Sequence, residues 1–472
     1  MKEQINFILN DKPVSTTAFK GLVLLDFLRK EKRLTGTKEV CKEGDCGACA
    51  IVLGELINGE ILYKTVNSCL YPLGNVEGKH VVTIEGLNQN GFTPIQKYII
   101  DESASQCGFC TPGFIISLTT YFLSNKEYDI DTAIDAIGGN ICRCTGYLSI
   151  KRSVAKMLDY IAANRSVGDP DIDSLIRLKI IPEYFKNIHR ALSLIDNPNP
   201  IREKTNYEKI IGGGTDLYVQ QADSLLDKNI LFVGKKNRSE ITLSKNEVKI
   251  SGSITFEEFN QSSLIKTYLP QINDYMKLIA SLPIRNTATL AGNIINASPI
   301  GDMSIILLAL DSRVVLTKGK SRRKVFLKDL YKGYKSLDRS IDELVSEIRF
   351  KIPGENNKFN FEKVSKRTHL DIATVNSAIN LVYKNKKIFS ASLSFGGVAP
   401  VPLYLKKTSE YLVDKEIDTS LVIEIISIAQ SEISPITDIR GSVQYKRLLV
   451  SQIIKKHFIT LFPELISHEV LK

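Results

Sequence analysis

The chain has 472 residues, 43% of them hydrophobic and 24% charged, a composition typical of a soluble globular protein with three or four domains. No apolar run approaches the roughly 18 residues that a membrane span requires. The N-terminal residues lack the basic and apolar regions of a secretory signal, so we expect a cytoplasmic protein that does not contact a membrane. The net charge is +10, but the lysines are scattered without interleaved aromatic residues, which favours no nucleic-acid partner.

The first part of the chain has strand and turn patterns. Gln4–Leu9 alternates as a strand, and Asn10–Pro13 predicts a tight turn before a returning strand. Leu22–Arg29 has helical apolar spacing. A second hairpin is predicted about Asn58 and Gly59. These elements indicate a small α+β domain over residues 1–88.

Eight cysteines fall into two sets of four, and the first set lies in this domain. It has the spacing C-x4-C-x2-C with a distant fourth member, in the order Cys41, Cys46, Cys49 and Cys69. This is the spacing of plant-type [2Fe–2S] ferredoxins. Gly44 and Gly47 permit the loop to curl, so that inward backbone N–H groups can donate hydrogen bonds to the cluster sulfurs.

The second set lies where the pattern becomes helical. Apolar residues recur at helical intervals through residues 94–160, which predicts an all-helical domain over 89–165. The set consists of Cys107, Cys110, Cys142 and Cys144. Each pair stands beside a glycine and a helical pattern, so two pairs at facing helix ends could hold one cluster.

Two other interpretations of the cysteines are disulfides and zinc sites. The expected reducing compartment makes disulfides improbable. A five-residue step followed by a three-residue step in a glycine loop is not a zinc-finger pattern. Four thiolates are what one [2Fe–2S] cluster needs, and the sequence therefore favours two such clusters.

A polar segment with Gly and Pro predicts a linker over residues 166–178, followed by an α/β region. There the short strand Lys209–Ile211 leads into Gly212, Gly213 and Gly214, and Thr215 is a candidate N-cap for the next helix. A glycine turn before a helix presents free N–H groups to an anion, although the pattern is not the G-x-G-x-x-G fingerprint. By itself such a turn is equally consistent with a purely structural role.

A second small-residue turn occurs at Ala291, Gly292 and Asn293, surrounded by hydroxyl and amide side chains and followed by Asp302. Two such turns with convergent polar groups suit a ligand that has a pyrophosphate and a polyol, and FAD has both. The remainder, from about Phe359, has an α+β pattern that includes a long helix over Tyr445–Phe462.

Several segments together resemble the small iron–sulfur/FAD subunits of bacterial two-subunit xanthine dehydrogenases, in the molybdenum hydroxylase family. They are LTGTKEVCKEGDCGAC (34–49), SQCGFCTPGF (105–114), GGNICRCTGY (138–147), IIGGGTDL (210–217), IRNTATLAGNIINASPIGD (284–302), KVSKRTHLDIA (363–373), SFGGVAP (394–400) and PITDIRGSVQYKRLL (435–449). The match is distributed over nearly the whole chain.

The resemblance implies a multidomain α+β fold. It comprises a β-grasp plant-type ferredoxin domain (1–88), an all-α [2Fe–2S] four-helix domain (89–165), an α+β FAD-binding domain of the molybdenum-hydroxylase flavoprotein type (179–355) and a C-terminal α+β flavoprotein domain (356–472). The eight cysteines would be the cluster ligands.

The resemblance also implies FAD contacts. They are Ile210, Ile211, Gly212, Gly213, Gly214, Thr215, Asp216 and Leu217 around the pyrophosphate, Thr289, Leu290, Ala291, Gly292 and Asn293 at the pyrophosphate and sugar, Asp302 at a ribityl hydroxyl, and Ile348 and Lys363 near the isoalloxazine ring. The loop Ser365–Asp371 would lie by the nicotinamide side. We predict no catalytic acid or base, because electron transfer needs none.

The implied activity is that of an oxidoreductase subunit in purine catabolism. Electrons would come from a separate molybdopterin-binding large subunit that hydroxylates a purine such as xanthine, pass through both clusters to FAD, and reach NAD. Because the chain ends after the flavin domain, we expect the molybdopterin on another polypeptide, in a heterotetramer of two small and two large subunits. The alternatives are the same role in an aldehyde or N-heterocycle dehydrogenase, and an electron carrier without an NAD site.

Overall fold

The computed structural model describes residues 4–88, 91–165, 171–195, 207–233 and 240–466. The chain forms two compact units: Met1–Gly234 with Ser281–Thr287, and Lys235–Ala280 with Ala288–Lys472. The predicted FAD-binding domain, residues 179–355, therefore contributes to both units. In the described part of the chain, no helix is both long and apolar enough to cross a membrane.

The first unit begins with a five-stranded sheet. Its strands are β1 (Ile5–Leu9), β2 (Lys12–Thr16), β3 (Ala50–Ile57), β4 (Glu60–Asn67) and β5 (His80–Val82). They lie in the order β2-β1-β5-β3-β4, with β1 and β5 parallel and the other pairs antiparallel. This is the predicted β-grasp arrangement. The second hairpin turns at Asn58 and Gly59, whose φ angles of 54° and 87° suit a two-residue turn.

The helix predicted over Leu22–Arg29 is present in a modified form. It is α-helical over Leu24–Asp26 and widens into a π-helical turn over Phe27–Glu31. Its buried face packs against the sheet, where the rings of Phe7 and Phe27 meet edge to face at 5.9 Å. Apolar periodicity indicates which face is buried, but it does not distinguish 3.6 residues per turn from the wider π turn.

The helical domain follows as predicted. Its helices are Pro94–Asp101, Thr111–Ser124, Ile130–Ala136 and Leu148–Asn164, and a short helix, Ile84–Leu87, precedes them. Thr93 and Gln96 form a capping box that begins the first of the four. Helix Thr111–Ser124 is buried over most of its length, which explains its apolar character on every side.

The predicted linker differs from the structure. Residues 166–170 lie outside the described residues, whereas Asp171–Arg177 forms a helix, and a second helix follows over Phe185–Ser193. Leu175, Ile180 and Phe185 are buried in the core of the helical domain. Burial of these apolar side chains outweighs the turn-forming residues that precede them.

The first unit ends with a small α/β element and a returning segment. Strands β6 (Lys209–Ile211) and β7 (Ile230–Phe232) are parallel and joined by helix Thr215–Leu225. The segment 281–287 adds a short helix, Leu282–Arg285.

The second unit contains two antiparallel sheets. The first has the order β11-β10-β14-β9-β8, formed by β8 (Ile241–Ser244), β9 (Glu247–Ser251), β10 (Arg313–Lys318), β11 (Ser321–Phe326) and β14 (Leu344–Lys351); a small hairpin pairs β12 (Tyr331–Gly333) with β13 (Ser336–Leu337). The associated helices are Phe256–Gln261, Ser263–Tyr268, Ile272–Lys277, Leu290–Asn296, Asp302–Ala309 and Leu327–Leu330.

The second sheet has the order β15-β16-β17-β18, formed by β15 (Asn357–Val364), β16 (Val375–Lys384), β17 (Lys387–Gly396) and β18 (Leu403–Tyr404). Its helices are Lys406–Leu412, Thr419–Glu432 and Val443–Leu461. The last of these is the predicted C-terminal helix. Helix Asp302–Ala309 contacts β16 and β17, and its residues after Asp302 are buried.

Candidate iron–sulfur and flavin sites

The first thiol set (Cys41, Cys46, Cys49 and Cys69) is gathered around one loop as two pairs. The Cys46 thiol is hydrogen-bonded to Cys41, and the Cys69 thiol to Cys49. The Cys46 partner lowers the pKa of Cys41, and the Cys69 partner lowers that of Cys49. Cys49 and Cys69 are buried, whereas Cys41 and Cys46 are half-buried. One thiol in each pair is therefore stabilised as the thiolate that a metal requires.

Backbone N–H groups of the loop point at these sulfurs. The Glu43 N–H donates to Cys41 Sγ at 3.4 Å, and the N–H groups of Asp45 and Cys46 also donate to Cys41. Gly44 and Gly47 adopt φ of 79° and 67°, the left-handed conformation that allows this curl. The predicted inward N–H donors are thus present.

The second thiol set (Cys107, Cys110, Cys142 and Cys144) is also arranged as two pairs. Cys107 Sγ and Cys144 Sγ are 3.7 Å apart, and both residues are exposed. Cys110 is hydrogen-bonded to Cys142, which is buried. Cys110 stands at the N-cap of helix Thr111–Ser124, and Cys142 and Cys144 precede helix Leu148–Asn164. Each of these pairs joins a cysteine near one helix start to a cysteine near the other, whereas the sequence grouped Cys107 with Cys110 and Cys142 with Cys144.

The pairing is consistent with two-iron clusters. Metal–thiolate bonds of about 2.3 Å in a tetrahedron place two sulfurs about 3.8 Å apart, close to the distance between Cys107 and Cys144. A [2Fe–2S] cluster needs two such pairs, one for each iron. The assignment of the eight cysteines as ligands remains a prediction.

A direct contact joins the two thiol sets, and sequence patterns did not reveal it. The Ile141 N–H donates to the Cys46 carbonyl at 3.0 Å, and Asn140 Nδ2 donates to the Gly47 carbonyl at 3.1 Å. Ser117 Oγ in turn donates to Asn140 Oδ1 at 2.7 Å. Because Ile141 precedes Cys142, one hydrogen bond connects the loop of the first set to the chain of the second.

The glycine turn lies beside the first thiol set. The helix after the turn begins at Thr215, and its N-cap is Gly214 with φ 74°, not Thr215 as the sequence suggested. Tyr218 shares a buried cluster with Cys49 and Cys69, and its hydroxyl donates to the Gly21 carbonyl at 3.1 Å. A side chain at position 214 would lie 3.0 Å from the Tyr218 ring, so packing as well as backbone conformation favours glycine.

In the second predicted turn, Thr289–Asn293, most polar groups make hydrogen bonds within the protein. Thr289 Oγ1 accepts from the Gly292 N–H at 3.1 Å, and the N–H groups of Leu290 and Ala291 donate to backbone carbonyls. Asn293 Oδ1 accepts from the backbone N–H and the hydroxyl of Ser304, both at 3.0 Å. Asn293 therefore fixes the start of helix Asp302–Ala309, a structural role that the sequence did not indicate.

Asp302 and Lys363 form a buried ion pair. Lys363 Nζ lies 2.8 Å from Asp302 Oδ2 and donates to the Leu278 carbonyl at 2.9 Å, and its side chain is 2% exposed. Asn376 Nδ2 donates to Asp302 Oδ1 at 2.6 Å. The structure thus brings two predicted flavin residues together and adds Asn376, which no motif singled out. Ile348 is fully buried in β14 between Ile250 and Val314, so its side chain has no accessible surface.

The loop predicted to lie beside the nicotinamide is exposed and basic. Asp371 Oδ2 accepts from the Arg367 backbone N–H at 3.0 Å, and His369 Nδ1 is bonded to the Lys277 carbonyl at 2.9 Å. Lys366 Nζ donates to the Ile439 carbonyl at 3.2 Å. The loop is therefore held by one contact within itself and by two contacts to carbonyls outside it.

Residues 318–324 (KGKSRRK) form a basic segment whose arginines are paired with acidic residues. Arg322 contacts Glu347, and Arg323 Nε lies 2.7 Å from Glu343. These ion pairs are typical of a solvent-exposed protein surface, as the scattered lysines indicated.

Comparison with known proteins assigns family domains to most of the chain. The model of a [2Fe–2S] binding domain matches residues 83–155, which include the second thiol set. The model of the FAD binding domain in molybdopterin dehydrogenase matches residues 185–353, and that of the CO dehydrogenase flavoprotein C-terminal domain matches 361–461. The first thiol set precedes these matched ranges.

The most similar relatives include xanthine dehydrogenases. The chain is 27% identical to xanthine dehydrogenase 1 of Arabidopsis thaliana over 99% of its own length and 40% of that protein. It is also 27% identical to xanthine dehydrogenase/oxidase of Rattus norvegicus, over 98% of its own length and 39% of that protein. The chain thus spans about 40% of the length of the curated relatives it matches.

Among solved structures, a chain of the reconstituted CO dehydrogenase from Oligotropha carboxidovorans is similar, with a TM-score of 0.50 and 25% identity. The similarity covers 52% of this chain and 87% of that chain.

Proposed function

Because the chain belongs to the molybdenum hydroxylase family, as a protein with iron–sulfur and FAD-binding domains, we propose that it passes electrons from a separate molybdopterin subunit to NAD. The proposed route uses the second thiol set, the first thiol set and FAD in that order. When bound, the clusters would carry single electrons, whereas NAD accepts two electrons as a hydride. FAD can do both and would connect the two kinds of transfer. The protein's own residues hold and orient these groups.

One observation supports this order above all. The two thiol sets lie in one unit, and a backbone hydrogen bond connects Cys46 of the first set to Ile141, the residue before Cys142 of the second. Cys107 and Cys144 are exposed, and Phe109 and Leu148 are exposed nearby in sequence. An exposed set suits entry of electrons from a partner, whereas Cys49 and Cys69 are buried beside the glycine turn that we assign to FAD.

The proposal assigns each FAD segment a role. Ile210–Leu217 offers backbone N–H groups at a glycine turn before a helix, which suits the pyrophosphate. Thr289–Asn293 would hold the pyrophosphate and the adjoining ribose or ribityl groups. Asp302 and Lys363 would contact the ribityl chain and the ring as a pair. The partner would hydroxylate a purine, in a cytoplasmic complex of two small and two large subunits.

A second candidate is the same role with another substrate. The similarity to CO dehydrogenase covers half of the chain, so a substrate other than a purine is a specific alternative. Substrate choice would reside on the partner. Coexpression of the chain with its genomic neighbour, followed by native mass measurement and a substrate screen, tests partner, stoichiometry and substrate together.

The cofactor proposal is tested on the purified chain. We expect about four iron atoms and about one FAD per chain, flavin and [2Fe–2S] absorption bands, and bleaching of these bands by anaerobic NADH. Cys144→Ser should remove about two iron atoms and leave FAD in place. About two iron atoms in the unaltered chain would contradict the second cluster, and intact bands that NADH does not bleach would contradict the NAD site alone.

A further inference from the structure

Thr145 contacts a sulfur of the second thiol set. Its Oγ1 lies 3.2 Å from Cys142 Sγ, within the range of a hydrogen bond to sulfur. Thr145 is half-buried and Cys142 is buried, so the contact is partly shielded from water. A hydroxyl can donate or accept, and the effect on a cluster depends on which of these it does.

The neighbouring backbone favours donation from Thr145 to the sulfur. The Tyr147 N–H donates to Thr145 Oγ1 at 3.3 Å, which occupies a lone pair of that oxygen. The single proton of Thr145 is then available for the sulfur of Cys142. The Cys142 N–H does not compete, because it donates to the Tyr147 hydroxyl at 2.9 Å. Tyr147, with φ 68°, thus orients Thr145 as the donor.

Thr145 differs from the other donors to the cysteine sulfurs. Elsewhere in the described residues, the sulfurs receive hydrogen bonds from backbone N–H groups, as at Cys41, or from another cysteine thiol. In the described part of the chain, Thr145 thus donates to a cysteine sulfur through a side-chain hydroxyl, unlike these other donors. A side-chain donor can be removed by substitution without altering the backbone.

We propose that Thr145 tunes the reduction potential of the cluster at the second thiol set, an inference that rests on the proposed function. Reduction adds negative charge that spreads onto the ligand sulfurs. A hydroxyl that donates to Cys142 Sγ stabilises the reduced form more than the oxidised form and so raises the potential. Thr145 thus makes the cluster at the second thiol set a better electron acceptor, and it does so through its hydrogen bond to Cys142.

The test is a redox titration of the full chain with its cofactors, followed by electron paramagnetic resonance so that each cluster is measured separately. Thr145→Val should lower the equilibrium constant for reduction of one cluster about tenfold, or about 59 mV for one electron. The other cluster should be unchanged, and Thr145→Ser should retain the original potential because it keeps the hydroxyl.

Ser105→Ala is the matched control. The Ser105 hydroxyl lies in the same segment as Cys107 but is bonded to Thr111 Oγ1 at 2.8 Å, so its removal should leave both potentials unchanged. An unshifted potential in a fully loaded Thr145→Val chain would overturn the inference. An equal shift in Ser105→Ala would do the same.

Cluster loss separates this inference from the proposed function. If Thr145→Val loses iron, the smaller Thr145→Ala variant gives the same measurement. Iron loss in both variants would assign Thr145 a structural role and overturn the tuning role. Absence of iron at the second thiol set in the unaltered chain would instead contradict the proposed function.

Discussion

At the scale of single residues, removal of the Lys363 charge should lower stability substantially. Its ammonium is 2% exposed and lies 2.8 Å from Asp302, so Lys363→Met would leave a carboxylate largely buried without its counter-ion. Breaking one side of a buried pair costs about 3–5 kcal/mol. We expect a loss of this size in the free energy of urea unfolding. Lys358→Met, at an exposed position on the same strand, is the control.

The double variant Lys363→Met with Asp302→Asn separates pairing from packing. It removes both charges, so stability should recover most of the loss if the pair itself is responsible. No recovery would indicate that Lys363 acts through packing and the Leu278 carbonyl. The sequence singled out both residues through a resemblance, yet it could not show that they contact each other, because 61 positions separate them.

At the scale of elements, Asn140 joins the helical domain to the loop of the first thiol set. Asn140→Ala removes the donor to Gly47 and leaves the Ser117 hydroxyl, 1% exposed, without its acceptor. An unsatisfied buried hydroxyl costs about 1–3 kcal/mol. We expect a decrease of that order in the free energy of unfolding. Asn125→Ala, which removes an amide at an exposed helix end, should cost less.

The glycines of this contact show how far local patterns extend. The sequence predicts that Gly47 allows the loop to curl, and its φ of 67° agrees with that role. A side chain at Gly47 would also lie 2.5 Å from the Gly139 carbonyl, and one at Gly113 would lie 2.4 Å from the Gly47 carbonyl. Turn chemistry is local, so the sequence predicts the first constraint. The second depends on Gly113 and Gly139, which are distant from Gly47 in the sequence, and periodicity does not relate such residues.

At the scale of the whole molecule, the order of elements was largely predictable, whereas the division into units was not. The hairpins, the four helices around the second thiol set and the C-terminal helix follow from apolar periods and turn residues. The helix Asp171–Arg177 and the return of 281–287 to the first unit depend on tertiary burial. Local propensity is weak where such burial decides the structure.

Among the residues that the structure describes, each unit contains one buried histidine whose pKa is lowered by burial. His80 Nε2 donates to the Asn10 carbonyl at 2.8 Å, and His457 Nε2 is bonded to Ser377 Oγ at 3.0 Å. Burial lowers the pKa of His80 to about 4 and that of His457 to about 3, the latter aided by the charge of Lys456. Protonation of either ring in the folded state is therefore unfavourable.

The consequence is a loss of stability in mild acid. The unfolded rings bind protons near pH 6.5 and the folded rings only near pH 4 and below, so unfolding takes up roughly two protons between these values. Stability from these rings is therefore full above pH 6.5 and decreases as the pH falls, by up to roughly 3 kcal/mol for His80. Melting temperatures measured from pH 7.5 to 5 should show this decrease. His80→Gln should reduce the slope of melting temperature against pH, and the control His189→Gln, at an exposed position, should leave it unchanged. An equal slope in His80→Gln and in the unaltered chain would show that His80 is not responsible for the decrease.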